Sequence, residues 1–141
     1  MNLLDAYALV AFLVGGPAAP QVRAVLRAGD AAVSTANLAE ALDVSERVYG
    51  IPIRRAMEVI EPLFDGALTD VPLDRGIARR AAELRAAHYH RTSRPVSLAD
   101  MVLVASARPG DRIVTSDADL LAVAAAEAIE TVVLPEQPPS A

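Results

Sequence analysis

Short apolar runs bounded by turn residues alternate along this chain with longer stretches of helical spacing, and that rhythm allows few folds. It is the pattern of βαβ units around a mainly parallel sheet, an α/β class. Strands are expected from Asn2 to Leu4, Ala31 to Ser34, Leu68 to Val71, Arg112 to Thr115 and Thr131 to Leu134. Helices are expected from Ala6 to Val14, Pro20 to Gly29, Asn37 to Val48 and Pro52 to Phe64. Three more should run from Leu73 to His90, Leu98 to Ala107 and Asp117 to Ala126. Gly15-Gly16-Pro17 ends the first helix, because glycine accepts left-handed backbone and proline cannot continue a helix. Gly50 and Pro52 split the third and fourth into an αα-hairpin, in which Leu38, Leu42, Val59 and Leu63 should pack into the core.

With 53% hydrophobic residues and only 4% aromatics, the core must be built from Ala, Val, Leu and Ile. A chain of 141 residues fits one domain, expected over 1–134, with a solvated tail at 135–141. The apolar stretch Leu3 to Val14 contains Asp5 and is shorter than the ~20 residues of a membrane-spanning helix. A soluble, cytoplasmic protein with no membrane partner is the expectation.

Absent residues narrow the chemistry. There is no cysteine, hence no disulfide, thiolate zinc site or Cys nucleophile. All thirteen basic residues are Arg, which excludes a Schiff-base lysine and a Walker A lysine. The two histidines, His88 and His90, are two apart near a helix end and point to different faces. No G-x-S-x-G or G-x-G-x-x-G motif is present.

What remains is carboxylate chemistry, and the acids are placed alike. Asp5 in LLD, Glu40 in STANLAE, Asp100 in SLAD, and Asp117 and Asp119 in VTSDAD each follow a strand end or helix cap. Any one of them has a local explanation. Acids stabilise helix N-termini, Ser97-x-x-Asp100 has capping-box spacing, Asn37-x-x-Glu40 is a looser version, and Asp5 and Asp117 could be N-caps. Topology adds a second explanation, since strand C-termini and the following helix N-termini share one edge of an open parallel sheet, where ligands bind. Several carboxylates meeting there repel one another unless protonated or bridged by a cation. Oxygen-only donors suit Mg²⁺ or Mn²⁺, which activate water and stabilise displacement at phosphorus. Thr115 and Ser116 could orient such ligands or serve only as strand-end and cap residues.

Asp5 after a short first strand, Glu40 in STANLAEAL, Asp100 in SLADMVLVASA and Asp117 in IVTSDADLL together resemble a PIN domain, specifically the VapC-type toxin ribonucleases. The resemblance spans Asp5 to about Leu134. It implies a three-layer α/β/α fold, a homodimer, Mg²⁺- or Mn²⁺-dependent cleavage of RNA, and a cognate VapB-type antitoxin. It places Asp5, Glu40 and Asp100 as the first three catalytic acids, with Asp117 or Asp119 as the fourth. It also implies an antitoxin groove at the αα-hairpin and first helix, with Tyr49 and Phe64 as anchors.

The net charge of −5 departs from what RNA binding favours. Arg91 and Arg94, flanking the loop before Asp100, are the candidates for phosphate contact, whereas Arg75, Arg79 and Arg80 read as a solvated helix face. The competing function is a non-catalytic PIN-like module that binds an antitoxin or RNA, its acids serving as caps. An aspartyl-phosphate enzyme fails on the missing lysine and on Tyr7, where a haloacid-type motif wants a second Asp.

Overall fold

The computed structural model describes residues 1–136. Among them five strands, β1 (Asn2–Leu4), β2 (Ala31–Ser34), β3 (Leu68–Val71), β4 (Arg112–Thr115) and β5 (Glu130–Val133), form one sheet in the order β3-β2-β1-β4-β5. Every pairing is parallel. The chain starts in the middle, builds outward to β3, then returns to the other side of β1. The order therefore reverses between β1 and β4, which makes their C-terminal ends the switch point where such sheets hold ligands.

The side-chain alternation of a strand splits the core in two. Leu4, Val33 and Val114 face one layer, with α1 (Ala6–Val14), α2 (Ala19–Arg27), Ala41 of α3 (Thr35–Arg47) and Ile60 of α4 (Ile53–Ile60). Leu3, Ala32 and Ile113 face the other, with α5 (Arg75–His88), α6 (Leu98–Ser106) and α7 (Ala118–Ala126). Leu3, Leu4, Ile113 and Val114 are fully buried, and each such aliphatic contributes roughly 1.5–3 kcal/mol of hydrophobic stabilisation. A sheet covered on both faces reads as continuous apolar runs, which is why these strands carry no polar alternation.

Several boundaries differ from the sequence expectation, each for a local reason. Helix α3 starts at Thr35 rather than Asn37, because the Ser34 hydroxyl accepts from the Asn37 N–H at 3.1 Å and caps it. Asn37-x-x-Glu40 is therefore no capping box: Glu40 lies a turn further in. The α-helix expected to reach Phe64 stops at Ile60 and continues as a 3₁₀ turn, Glu61–Asp65. Pro62 lacks an N–H and its ring crowds the carbonyl four residues back. Helix α5 begins at Arg75, where the Asp74 carboxylate accepts from Ile77 N–H at 2.8 Å, and ends at His88. Gly15 closes α1 at φ 74°, donating to the Ala11 carbonyl at 3.0 Å.

Of the hairpin residues, Leu38, Leu42, Leu63 and Phe64 pack against the first core layer, whereas Val59 is 49% exposed. Tyr49 is exposed beside Val48 and Ile53. Among the described residues no single helix is long and apolar enough to cross a membrane. Of the tail, Pro135 and Glu136 are exposed, and residues 137–141 lie outside the described part.

Candidate metal centre at the switch point

Asp5 ends β1 and caps α1. Its Oδ1 accepts from the Ala8 N–H at 2.7 Å, and its Oδ2 accepts from the Thr115 hydroxyl at the end of β4. The same hydroxyl oxygen accepts from the Asp117 N–H at 3.0 Å, so one Thr links the ends of the two central strands. Asp117 in turn caps α7, its Oδ1 accepting from Asp119 N–H at 2.8 Å and Leu120 N–H at 3.0 Å. Across the crevice the Ser97 hydroxyl accepts from the Asp100 N–H at 3.0 Å and sets the first turn of α6. Ser97→Ala should remove this cap at a cost of about 1 kcal/mol, seen as a lower urea midpoint at unchanged m-value.

Asp5 is only 4% exposed. Burial pushes its carboxyl from the ordinary 3.8 up to about 7; the Thr115 and Ala8 donors oppose this, and the charges of Asp100 and Asp117 add to it. Asp100 is raised to about 6, first by burial and then by the charge of Glu40, with Asp117 contributing and the Ser97 donors opposing. Glu40 is raised by burial and by Asp43, and its Oε2 is buried without a hydrogen-bond partner. Asp5, Glu40, Asp100 and Asp117 are thus linked through one another's fields. Asp119 is not among the leading charges on Asp5 or Asp100; with Tyr7, Ser116, Asp117 and Glu136 it lines a shallow opening at the same edge.

Among the described residues no three acids form a ready-made cage for a cation. That geometry still suits Mg²⁺, which keeps several waters and uses one or two carboxylates together with substrate phosphate instead of an all-protein cage. The donors are all oxygen, one carboxylate oxygen is buried and unpartnered, and the strongest charges on Asp5 and Asp100 are other carboxylates. A divalent cation would satisfy each of these conditions.

The two candidate arginines lie outside this group. Arg91 is exposed, and Arg94 is half-buried with its Nε buried and unpartnered. Their loop is closed by paired backbone bonds, His90 N–H to Arg94 O at 2.9 Å and the reverse at 3.0 Å. His90 Nδ1 accepts from Ser93 N–H at 3.1 Å, and His88 Nε2 lies 3.3 Å from Glu127, so both histidines hold local structure. Two neighbours of the acids take roles that the sequence reading did not give them. Asn37 is fully buried with Nδ2 unpartnered, one helical turn before Glu40; its signal was the i, i+3 spacing. Tyr7 donates its hydroxyl to the Pro135 carbonyl at 2.6 Å, a contact no local pattern announces.

The comparisons agree with this architecture. A toxin-antitoxin complex from Klebsiella pneumoniae shares 20% identity at TM-score 0.63, over 86% of this chain and 91% of that one. FitAcB from Neisseria gonorrhoeae shares 24% at TM-score 0.64, over 93% and 96%. FitAB bound to an IR36 DNA fragment shares 20% at TM-score 0.64, over 94% of each. At these identities the likeness is one of fold. No curated protein matches the chain in sequence. The PIN domain family matches residues 3–126, nearly the whole of the sheet and its helices, and the chain belongs to that family.

Proposed function

We propose that this chain is a Mg²⁺- or Mn²⁺-dependent endoribonuclease and the toxin of a toxin–antitoxin pair. The observation that carries the reading is Asp5: a carboxylate buried at the switch point, inside the field of two other acids, is costly unless a cation stands with it. In this reading Asp5, Asp100, Asp117 and Asp119 would hold the metal. Glu40, whose Oε2 has no hydrogen-bond partner, would take the proton of the attacking water. The bound cation supplies a water of lowered pKa and a counter-charge for the phosphate. Thr115 fixes Asp5 and steers the Asp117 backbone, Ser97 aims Asp100, and Ser116 stands beside Tyr7 at the opening. Arg91 and Arg94 meet RNA phosphates.

The fold neighbour named as a toxin-antitoxin complex supports an antitoxin as partner; a VapB-type antitoxin, a homodimer and the cytoplasm are what the sequence resemblance implies. The exposed Val48, Tyr49, Ile53 and Val59 offer the antitoxin an apolar surface. Purified protein should cut a structured RNA with Mg²⁺ or Mn²⁺ and stop completely in excess EDTA; cutting that survives the chelator removes the metal from the mechanism. The non-catalytic reading explains the cap bonds of Asp5 and Asp117 but leaves the buried Glu40 oxygen unexplained. Calorimetric titration with Mn²⁺ separates the two, since a module whose acids only cap helices takes up no metal.

A further inference from the structure

The acidic chain has one basic stretch. Six of its thirteen arginines and two of its eighteen acids fall between residues 72 and 97, a local excess of four positive charges in a protein of net −5. The arginines here are Arg75, Arg79, Arg80, Arg85, Arg91 and Arg94. Two are engaged by carboxylates, Arg79 with Glu83 at 2.9 Å and Arg80 with Glu127. Arg85 serves differently. Its Nε donates to the Val96 carbonyl at 3.2 Å, and its guanidinium lies over the Tyr89 ring, 4.4 Å from the centroid.

Tyr89 is nonetheless 43% exposed, and so is Leu98, at 55%. Neither holds the core, whose contacts from α5 are Ile77, Ala81 and Leu84. With Ala82, Arg85 and Ala86 they line an open groove of about 380 Å³. That is the small end of the range for ligand sites, enough for one planar group and too little for a folded element. Leu98 stands in the first turn of α6 together with Asp100, so one wall of the groove belongs to the helix end that carries a site acid.

We propose that this groove is a nucleobase subsite, in which an unpaired base of single-stranded RNA stacks on Tyr89 against Leu98 while Arg91, two residues after Tyr89, takes a flanking phosphate. The proposal rests on the nuclease reading above and names its substrate class. Basic side chains recruit the backbone, and an exposed aromatic ring stiffened by a guanidinium offers any base a stacking face. A duplex cannot use it, because its bases are stacked already. The groove therefore selects loops and single strands over helical RNA, with little preference for sequence.

The test uses a fluorescein-labelled oligouridylate 12-mer carrying one 2-aminopurine, in EDTA so that nothing is cut. Wild-type protein should bind it with quenching of the 2-aminopurine. Tyr89→Ala should weaken binding about 5- to 100-fold and abolish the quenching, as expected for loss of one stacked base. Tyr89→Phe should keep both, and Arg91→Ala should weaken binding and flatten its salt dependence while leaving the quenching intact. Equal affinity and quenching in Tyr89→Ala and wild type overturns the subsite, as does failure of wild type to bind the 12-mer. A Tyr89→Ala protein altered only in sedimentation would instead assign the surface to a second copy of the chain. Cleavage with Mn²⁺ is read separately: Tyr89-dependent binding without cleavage sinks the nuclease reading and keeps the subsite, and cleavage without it does the reverse.

Discussion

Asp5→Ala and Asp100→Asn should each reduce metal-dependent RNA cleavage by about 10³-fold or more and leave the fold intact. A metal held by these carboxylates contributes several kcal/mol to the transition state, and each 1.36 kcal/mol is tenfold in rate. Asp5→Ala strips two acceptors, from the Ala8 N–H and the Thr115 hydroxyl, but also removes a buried charge that burial disfavours. The two effects oppose, so far-ultraviolet circular dichroism and a cooperative melt should be retained. Asp117→Asn should be far more harmful than Asp119→Asn, since Asp117 is among the leading charges on both Asp5 and Asp100 and Asp119 is not. Undiminished cleavage by both the Asp5 and Asp100 variants would refute the assignment.

The parts of this site that were legible are those written locally. Asp5 directly follows an apolar strand and Asp100 stands three residues after Ser97, so strand end and cap could be read from spacing alone. The strand positions followed from the same cause, because a doubly covered sheet leaves apolar runs that only turn residues interrupt. What escaped depends on long-range contact or on competition between caps. Ser34, not Asn37, wins the start of α3 because its hydroxyl reaches the Asn37 N–H, and this moves Glu40 from the helix mouth to the second turn. Thr115 was one of two hydroxyls with open roles; only the pairing of β1 with β4 brings it to Asp5, 110 residues away. Spacing likewise said nothing of Tyr89, whose environment is made by Arg85 one turn back and Leu98 on the next helix.

Without metal, the protein should be more stable near pH 5.5 than at pH 8, and Asp5→Asn should erase most of the difference. Asp5 has its carboxyl at about 7 in the folded chain and near 3.8 when unfolded. Below about pH 4 both states hold the proton and the residue contributes nothing to the difference. Between 4 and 7 the folded state binds more proton than the unfolded one, so stability falls as pH rises. Above 7 the full penalty stands, on the order of 4 kcal/mol from roughly three units at 1.36 kcal/mol each. Asp100, raised to about 6, pulls in the same direction. Asparagine keeps an acceptor for Ala8 and carries no charge, so Asp5→Asn should exceed wild type at pH 8 by at least about 1 kcal/mol in urea, the lost Thr115 acceptor limiting the gain. Added Mn²⁺ should reverse that ranking. It stabilises whatever binds it, by about 2.7 kcal/mol at a hundred times its Kd, and only wild type retains the Asp5 ligand. Equal stability of the two proteins at pH 8 without metal, or an equal shift with it, would mean that the Asp5 charge is balanced by the protein itself, and the case for a cation at the switch point would fall.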